Sequence, residues 1–193
     1  GALCEKAIAG TTKALFKGDD TYLEKCCVVE EEIDKCERDI ENMCMGLFLK
    51  QQPVASDLRT ISSALKMISD MERIGDQCAD ISSMIRYTKG HDMGDYHHLN
   101  TMSEAATKMV SNAVESYVRQ DLELAKSVMN MDDIVDRQFD EVKENLIKFI
   151  AEKPDNGEFW IDVIMIAKYY ERIADHAVNI AEWVEYSITG EHK

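Results

Sequence analysis

One helical pattern runs through this chain twice. Glu72-Arg73-Ile74-Gly75-Asp76 returns 99 residues later as Glu171-Arg172-Ile173-Ala174-Asp175, and the copies continue alike, into Gln77-Cys78-Ala79-Asp80-Ile81 and His176-Ala177-Val178-Asn179-Ile180. Earlier in each half, Gly18-Asp19 answers Gln120-Asp121, and Glu30-Glu31-Glu32-Ile33-Asp34 answers Asp132-Asp133-Ile134-Val135-Asp136, both at an offset of 102. The offset drops from 102 to 99 because the turn between the second and third segments is three residues shorter in the second half. A period near one hundred residues is too long for a solenoid of short repeats. It predicts a duplicated supersecondary unit.

Apolar periodicity sets the content of that unit. Two prolines and nine glycines in 193 residues leave long stretches without a helix breaker. Six helices are expected: about Ala2 to Phe16, a second capped by Asp19 or Asp20 and ended by Gln51-Gln52-Pro53, and a third over about Val54 to Thr88. The second half repeats them over about Leu99 to Arg119, from an Asp121 cap to Glu152, and from about Glu158 to Ile188. Gly90-His91-Asp92-Met93-Gly94 is the glycine-flanked polar break between the halves. The expected fold is all-α, two tandem three-helix bundles over residues 1–90 and 91–193. On the second helix the core stripe reads Val29, Ile33, Cys36, Ile40, Met43, Leu47.

Acidic residues follow these core positions by one. Glu30, Asp34, Glu37 and Glu41 lie in steps of four, three and four, which at about 100° per residue keeps them on one helix face. Glu72, Asp76 and Asp80 do the same on the third helix, Asp132, Asp136, Asp140 and Glu144 on the fifth, and Glu171, Asp175, Asn179 and Glu182 on the sixth. Acids beside an apolar stripe are usually solvated or salt-bridged. Two such stripes brought together repel, however, unless cations intervene. The nearby cations, Lys35, Arg38, Arg73, Arg137 and Arg172, are too few to neutralise them. An all-oxygen ligand set suits Mg²⁺, Ca²⁺, Mn²⁺ or iron, so divalent or iron metal ions are the expected cofactors.

Other chemistries find little support. The net charge of −15 argues against nucleic acid or an anionic membrane surface, and no apolar run is long enough to insert into a bilayer. The Glu-x-x-His of di-iron bundles is missing, His97-His98 reads as a loop dipeptide, and His176 points about 100° from Asp175. No phosphate-cradling glycine loop or catalytic Cys/His spacing occurs, so an enzyme is not expected. Cys4, Cys26, Cys27, Cys36, Cys44 and Cys78 fall mostly at apolar helical positions and read as buried, reduced cytoplasmic thiols.

Gln52-Pro53-x-Ala55-x-Asp57-Leu58-Arg59, then Glu72-Arg73-Ile74-Gly75-Asp76, then the second Glu-Arg-Ile-x-Asp and Asn179-Ile180-Ala181-Glu182, resemble the PhoU family along essentially the whole chain. These are the phosphate-specific transport system accessory proteins of bacteria. By that resemblance the family's opening helix starts a few turns further upstream. The resemblance implies two three-helix bundles and a cytoplasmic negative regulator of phosphate uptake and of the phosphate-starvation response. The implied partners are the ATPase subunit of a phosphate ABC transporter and a membrane sensor histidine kinase, and a homodimer is the expected assembly. It also implies multinuclear metal clusters on Glu/Asp-x-x-x-Asp pairs, here Glu30/Asp34 with Glu72/Asp76 and Asp132/Asp136 with Glu171/Asp175. The second set is poorer in acid, since Asn179 answers Asp80, Phe139 answers Glu37 and Lys143 answers Glu41. The rival reading of the same carboxylates is a metal-storage or metal-dependent hydrolytic bundle.

Overall fold

A computed structural model describes residues 1–18, 21–50, 54–88 and 97–191. Six helices follow in order: α1 (Ala2–Lys17), α2 (Thr21–Lys50), α3 (Ala55–Thr88), α4 (His97–Arg119), α5 (Leu122–Glu152) and α6 (Gly157–Thr189), with a 3₁₀ turn at Pro154–Asn156. No strand occurs among the described residues. The architecture is the one expected from the repeat.

The helix ends have local causes. The chain turns out of α1 through Gly18, whose φ of 64° lies where a side chain would be strained, and its N–H bonds to the Ala14 carbonyl. Asp121 caps α5 by accepting from the Leu124 N–H at 3.0 Å. Asp57 accepts from the Val54 N–H at 3.3 Å, which satisfies a donor at the start of α3. The Asp19 and Asp20 cap, the Gln51-Gln52-Pro53 stop and the Gly90 to Gly94 boundary lie outside the described residues.

The two halves bury matching residues. Cys4, Ala7, Ile8, Thr11 and Ala14 on α1 correspond to Ala106, Met109, Val110, Ala113 and Ser116 on α4, all buried. Ile74, Cys78, Ile81 and Ile85 on α3 correspond likewise to Ile173, Ala177, Ile180 and Val184 on α6. The halves then share a single core. Helices α3 and α6 cross between them antiparallel: Arg59 lies against Gly190, and Asp70 accepts from Asn179 at 3.0 Å. At the other end Asp80 faces Tyr169. The pairs Asp70–Asn179 and Asp80–Tyr169 are one contact seen from either repeat, because 70 and 169, and 80 and 179, are 99 apart. On α1, Thr11 and Thr12 each share a 3.3 Å hydrogen bond with the buried Tyr170 hydroxyl, tying the first helix to the last.

Two expectations are corrected. Cys36, Met43 and Leu47 are exposed, Met43 by 60%, although they continue the apolar stripe of α2. Sequence periodicity marks which face of α2 is apolar, not which stretch of that face a neighbouring helix covers. In this stretch α2 packs on α3 and buries Cys44 instead. His97 and His98 form the first turn of α4, not a loop, and His98 Nδ1 bonds to Gln138 Oε1 at 2.8 Å. The thiols divide too: Cys4, Cys26, Cys44 and Cys78 are buried, while Cys27 and Cys36 are exposed. Burial holds the four buried thiols above their ordinary pKa, so they stay protonated and slow to react.

Candidate functional site: two carboxylate seams

Each repeat brings its second and third helices close just beneath the acidic residues. A Cβ on Gly75 would stand 3.1 Å from Ile33 Cδ1, so the missing side chain is what lets α2 and α3 approach. The second repeat solves the same packing with Ala174 and Val135, one methyl more on α6 and one methylene less on α5. Asp34 and Asp76 are the residues immediately after Ile33 and Gly75, and Asp136 and Asp175 follow Val135 and Ala174. Close backbones thus present two carboxylates to each other along one edge.

In the first seam, Glu30, Asp34 and Asp76 each place one carboxylate oxygen within 4.8 Å of the others. Glu72 lies within reach: burial raises its pKa first, with Asp76 and Asp34 adding to the rise. Burial likewise raises Glu30, helped by Asp34 and Asp76. Opposing charge comes from Arg38, 3.4 Å from Asp34, and from Arg73, 3.6 Å from Glu72 and 3.5 Å from Asp76. Both guanidiniums are exposed on the outside of the seam, where ion pairs contribute about 0–1 kcal/mol. Glu30 has no cation within 4 Å among the described residues.

In the second seam Asp132 and Asp136 on α5 meet Glu171 and Asp175 on α6. Burial pushes Asp132 up to about 6, and Asp136, Asp175 and Glu171 raise it further. Burial and Glu171 raise both Asp136 and Asp175. Oxygens Asp132 Oδ1 and Glu171 Oε2 are buried without a hydrogen-bond partner among the described residues. Leaving such atoms unsatisfied costs free energy, which a cation would recover. One cation is already present: Lys168 Nζ donates to Glu171 Oε1 at 2.5 Å.

All eight predicted carboxylates therefore sit on the two seams, four on each. Asp140, by contrast, is exposed and taken by Lys143 at 2.5 Å. Two participants are new. Lys168 was readable as the residue three before Glu171, where the first repeat has Ser69. The other is Asp70, which binds His176 Nδ1 at 2.8 Å as well as Asn179. His176 lies within electrostatic reach of Asp76 and Asp175, so this cluster stands between the seams. No periodicity reveals it, because it forms only where α3 crosses α6.

The donor set is carboxylate oxygen throughout, which selects hard cations. Oxygens sharing one ion at about 2.1–2.5 Å lie at most about 4–5 Å apart. The first seam's 4.8 Å spread meets that limit. In the second, the orphaned oxygens and raised carboxyls mark a place where positive charge is lacking.

Fold and site together define a class: a duplicated three-helix protein with one carboxylate seam per repeat. The PhoU domain family model matches residues 1–85 and again 99–184. A phosphate-specific transport system accessory protein PhoU homolog from Pseudomonas putida is 32% identical over 192 residues, covering 98% of this chain and 75% of that protein. One from Aquifex aeolicus is 36% identical over 171 residues, 88% of this chain and 77% of that protein. The crystal structure of PhoU from Pseudomonas aeruginosa superposes with a TM-score of 0.94 at 32% identity, over 99% of this chain and 92% of that one. That of the phosphate transport system regulatory protein PhoU from Streptococcus pneumoniae gives 0.91 at 25% identity, over 100% and 91%. The chain belongs to the PhoU family.

Proposed function

We propose that this protein is a non-enzymatic cytoplasmic regulator of phosphate transport. It holds phosphate uptake and the phosphate-starvation response down by docking to the transporter's ATPase subunit and to a membrane sensor histidine kinase, and it works as a homodimer. The observation that carries the reading is the match along nearly the whole of this chain, in sequence and fold, to proteins named for phosphate-transport accessory and regulatory roles. No helix among the described residues is long and apolar enough to cross a membrane, which accords with action through partners. The test is complementation. Expressed in a bacterium deleted for its own PhoU-family protein, the chain should restore repression of phosphate uptake and of a starvation-response reporter. Unrestrained uptake at normal expression would reject the reading.

Metal ions on the seams belong to the same proposal. Glu30, Asp34, Glu72 and Asp76 would hold the first, and Asp132, Asp136, Glu171 and Asp175 the second. A bound divalent or iron ion supplies positive charge that lets two acidic helix faces pack. Its role there is structural, rigidifying each repeat's α2/α3 or α5/α6 pair and so the surface offered to partners. Elemental analysis of protein purified without a metal-affinity step checks occupancy directly.

A further inference from the structure

The first repeat carries a trough whose lining is only partly repeated in its twin. Between α1 and the start of α2 lies a cavity of about 330 Å³ floored by Ala7, Gly10, Cys26 and Val29. Its rim is basic: Lys6, Lys13 and Lys25 line it, and Lys13 and Lys25 bracket the Tyr22 ring at 5.3 and 5.7 Å from its centroid. Lys6 has one distant carboxylate, Glu32 at 4.0 Å, and neither Lys13 nor Lys25 has a carboxylate partner among the described residues. On a chain of net charge −15 three ammonium groups around one cavity make a local concentration of positive charge.

The offset of 102 provides an internal control. Ala7 becomes Met109 and Gly10 becomes Asn112, so larger side chains stand where the trough is open. Lys13 becomes Glu115, Tyr22 becomes Leu124 and Lys25 becomes Ser127, while Lys6 is kept as Lys108, so two of the three rim lysines and the aromatic ring are lost together. Packing does not require the trough: a Cβ on Gly10 would meet only Tyr22 Cδ1, at an ordinary 3.9 Å.

We propose that this trough receives an acidic amphipathic segment of a partner protein, two or three apolar side chains entering the floor while flanking Asp or Glu residues meet the lysines. The volume sits at the low end of ligand-sized cavities, about 300–1,000 Å³, enough for a few anchors laid into a groove. The apolar floor disfavours free phosphate or nucleic acid, and the net charge opposes an anionic bilayer. The inference deepens the reading of the protein as a docking regulator and rests on it only for the partner's biological identity.

The test is a selection of short randomised helical peptides displayed against the full chain, with the winners synthesised. The variant Gly10→Asn/Lys13→Glu/Lys25→Ser carries the second repeat's residues at three positions lining the trough. Helical dichroism and melting should match the parent; Lys13→Glu/Lys25→Ser serves if they do not. Winners should pair acidic with apolar residues, bind the parent about tenfold or more tightly than the variant, and weaken in high salt. They should be indifferent to Lys108→Glu in the second repeat. The proposal is overturned if no peptide is enriched or if winners bind parent and variant alike. It is overturned equally if the variant instead abolishes self-association or binding to phosphatidylglycerol vesicles, which would assign the trough to a second copy or a membrane. Because peptide binding is read on the isolated chain and uptake in cells, either can fail without the other.

Discussion

The two seams grow from one sequence pattern yet neutralise their charge by different means. The first relies on Arg38 and Arg73, exposed guanidiniums on the outer side, and leaves Glu30 without a cation within 4 Å among the described residues. The second places a lysine within the seam, Lys168 on Glu171, and holds Asp132 near a pKa of about 6, so a proton competes for the same site. Duplicated carboxylates are therefore not duplicated sites. A single substitution, Ser69 in one repeat and Lys168 in the other, changes what a metal ion must displace.

The largest expected effect is that of metal itself. Each divalent ion at a hundredfold excess over its Kd stabilises the native state by about 2.7 kcal/mol, which for a chain of this size raises Tm by roughly 5–10 °C. Calorimetry with Mg²⁺, Mn²⁺ or Fe²⁺, against chelator, should show the rise. Glu72→Gln with Asp76→Asn should remove the larger part of it at neutral pH, because nothing buried competes in the first seam. The same pair should slightly stabilise the metal-free protein by removing mutual repulsion. Melting indifferent to millimolar metal would break the site assignment for both seams.

Next in size is the proton at the second seam. Asp132 rises from 3.8 to about 6 on folding, so the stability its protonation contributes is complete below about pH 4 and lost as pH climbs through 6. Metal-free protein should thus become less stable from pH 4.5 to 7, less steeply in Asp132→Asn. With metal the order inverts for that seam, since protonated carboxyls do not ligate, and it should release its ion before the first seam as pH falls. A flat stability profile identical in parent and Asp132→Asn would remove the distinction.

Exchanging the competitors is a smaller perturbation. Ser69→Lys should bring an ammonium to Glu72 as Lys168 does to Glu171, and weaken metal binding at the first seam about tenfold, or roughly 1.4 kcal/mol. Lys168→Ser should strengthen the second by a similar factor. Titration calorimetry giving equal affinities in all three proteins would show that the lysine is immaterial. Smallest of all, Ile33→Val with Gly75→Ala transplants the second repeat's packing into the first. Replacing a mid-helix glycine gains about 1 kcal/mol at most, and the lost methylene is refilled by the new methyl. A modest rise in Tm with unchanged metal binding is expected. A loss of binding would show that the glycine sets the seam's width.

Much of this was legible in one dimension. Helix α5 could be placed from Asp121 to Glu152 because its cap and apolar spacing are local, and the 99 and 102 offsets showed that two units had to be alike. The eight carboxylates followed from their constant position one residue after the core stripe, a rotation that a regular helix preserves. The stripe of α2 was misread beyond Ile33 because periodicity reports which face is apolar, whereas burial depends on which neighbouring helices lie against that face. The histidine pair was misplaced for a simpler reason: two polar residues at a helix start carry no apolar period.

Amino-acid order alone determined the six helices, their duplication and the faces that bear acid, since each depends on residues within a few turns of one another. Tertiary packing decided the rest. It set Asp70 against His176 where α3 crosses α6, orphaned Asp132 Oδ1 and Glu171 Oε2, and left the α1/α2 trough open. Those features depend on distances between residues far apart in the chain. Such distances are set by side-chain volume at the crossings, as Gly75 against Ile33 illustrates.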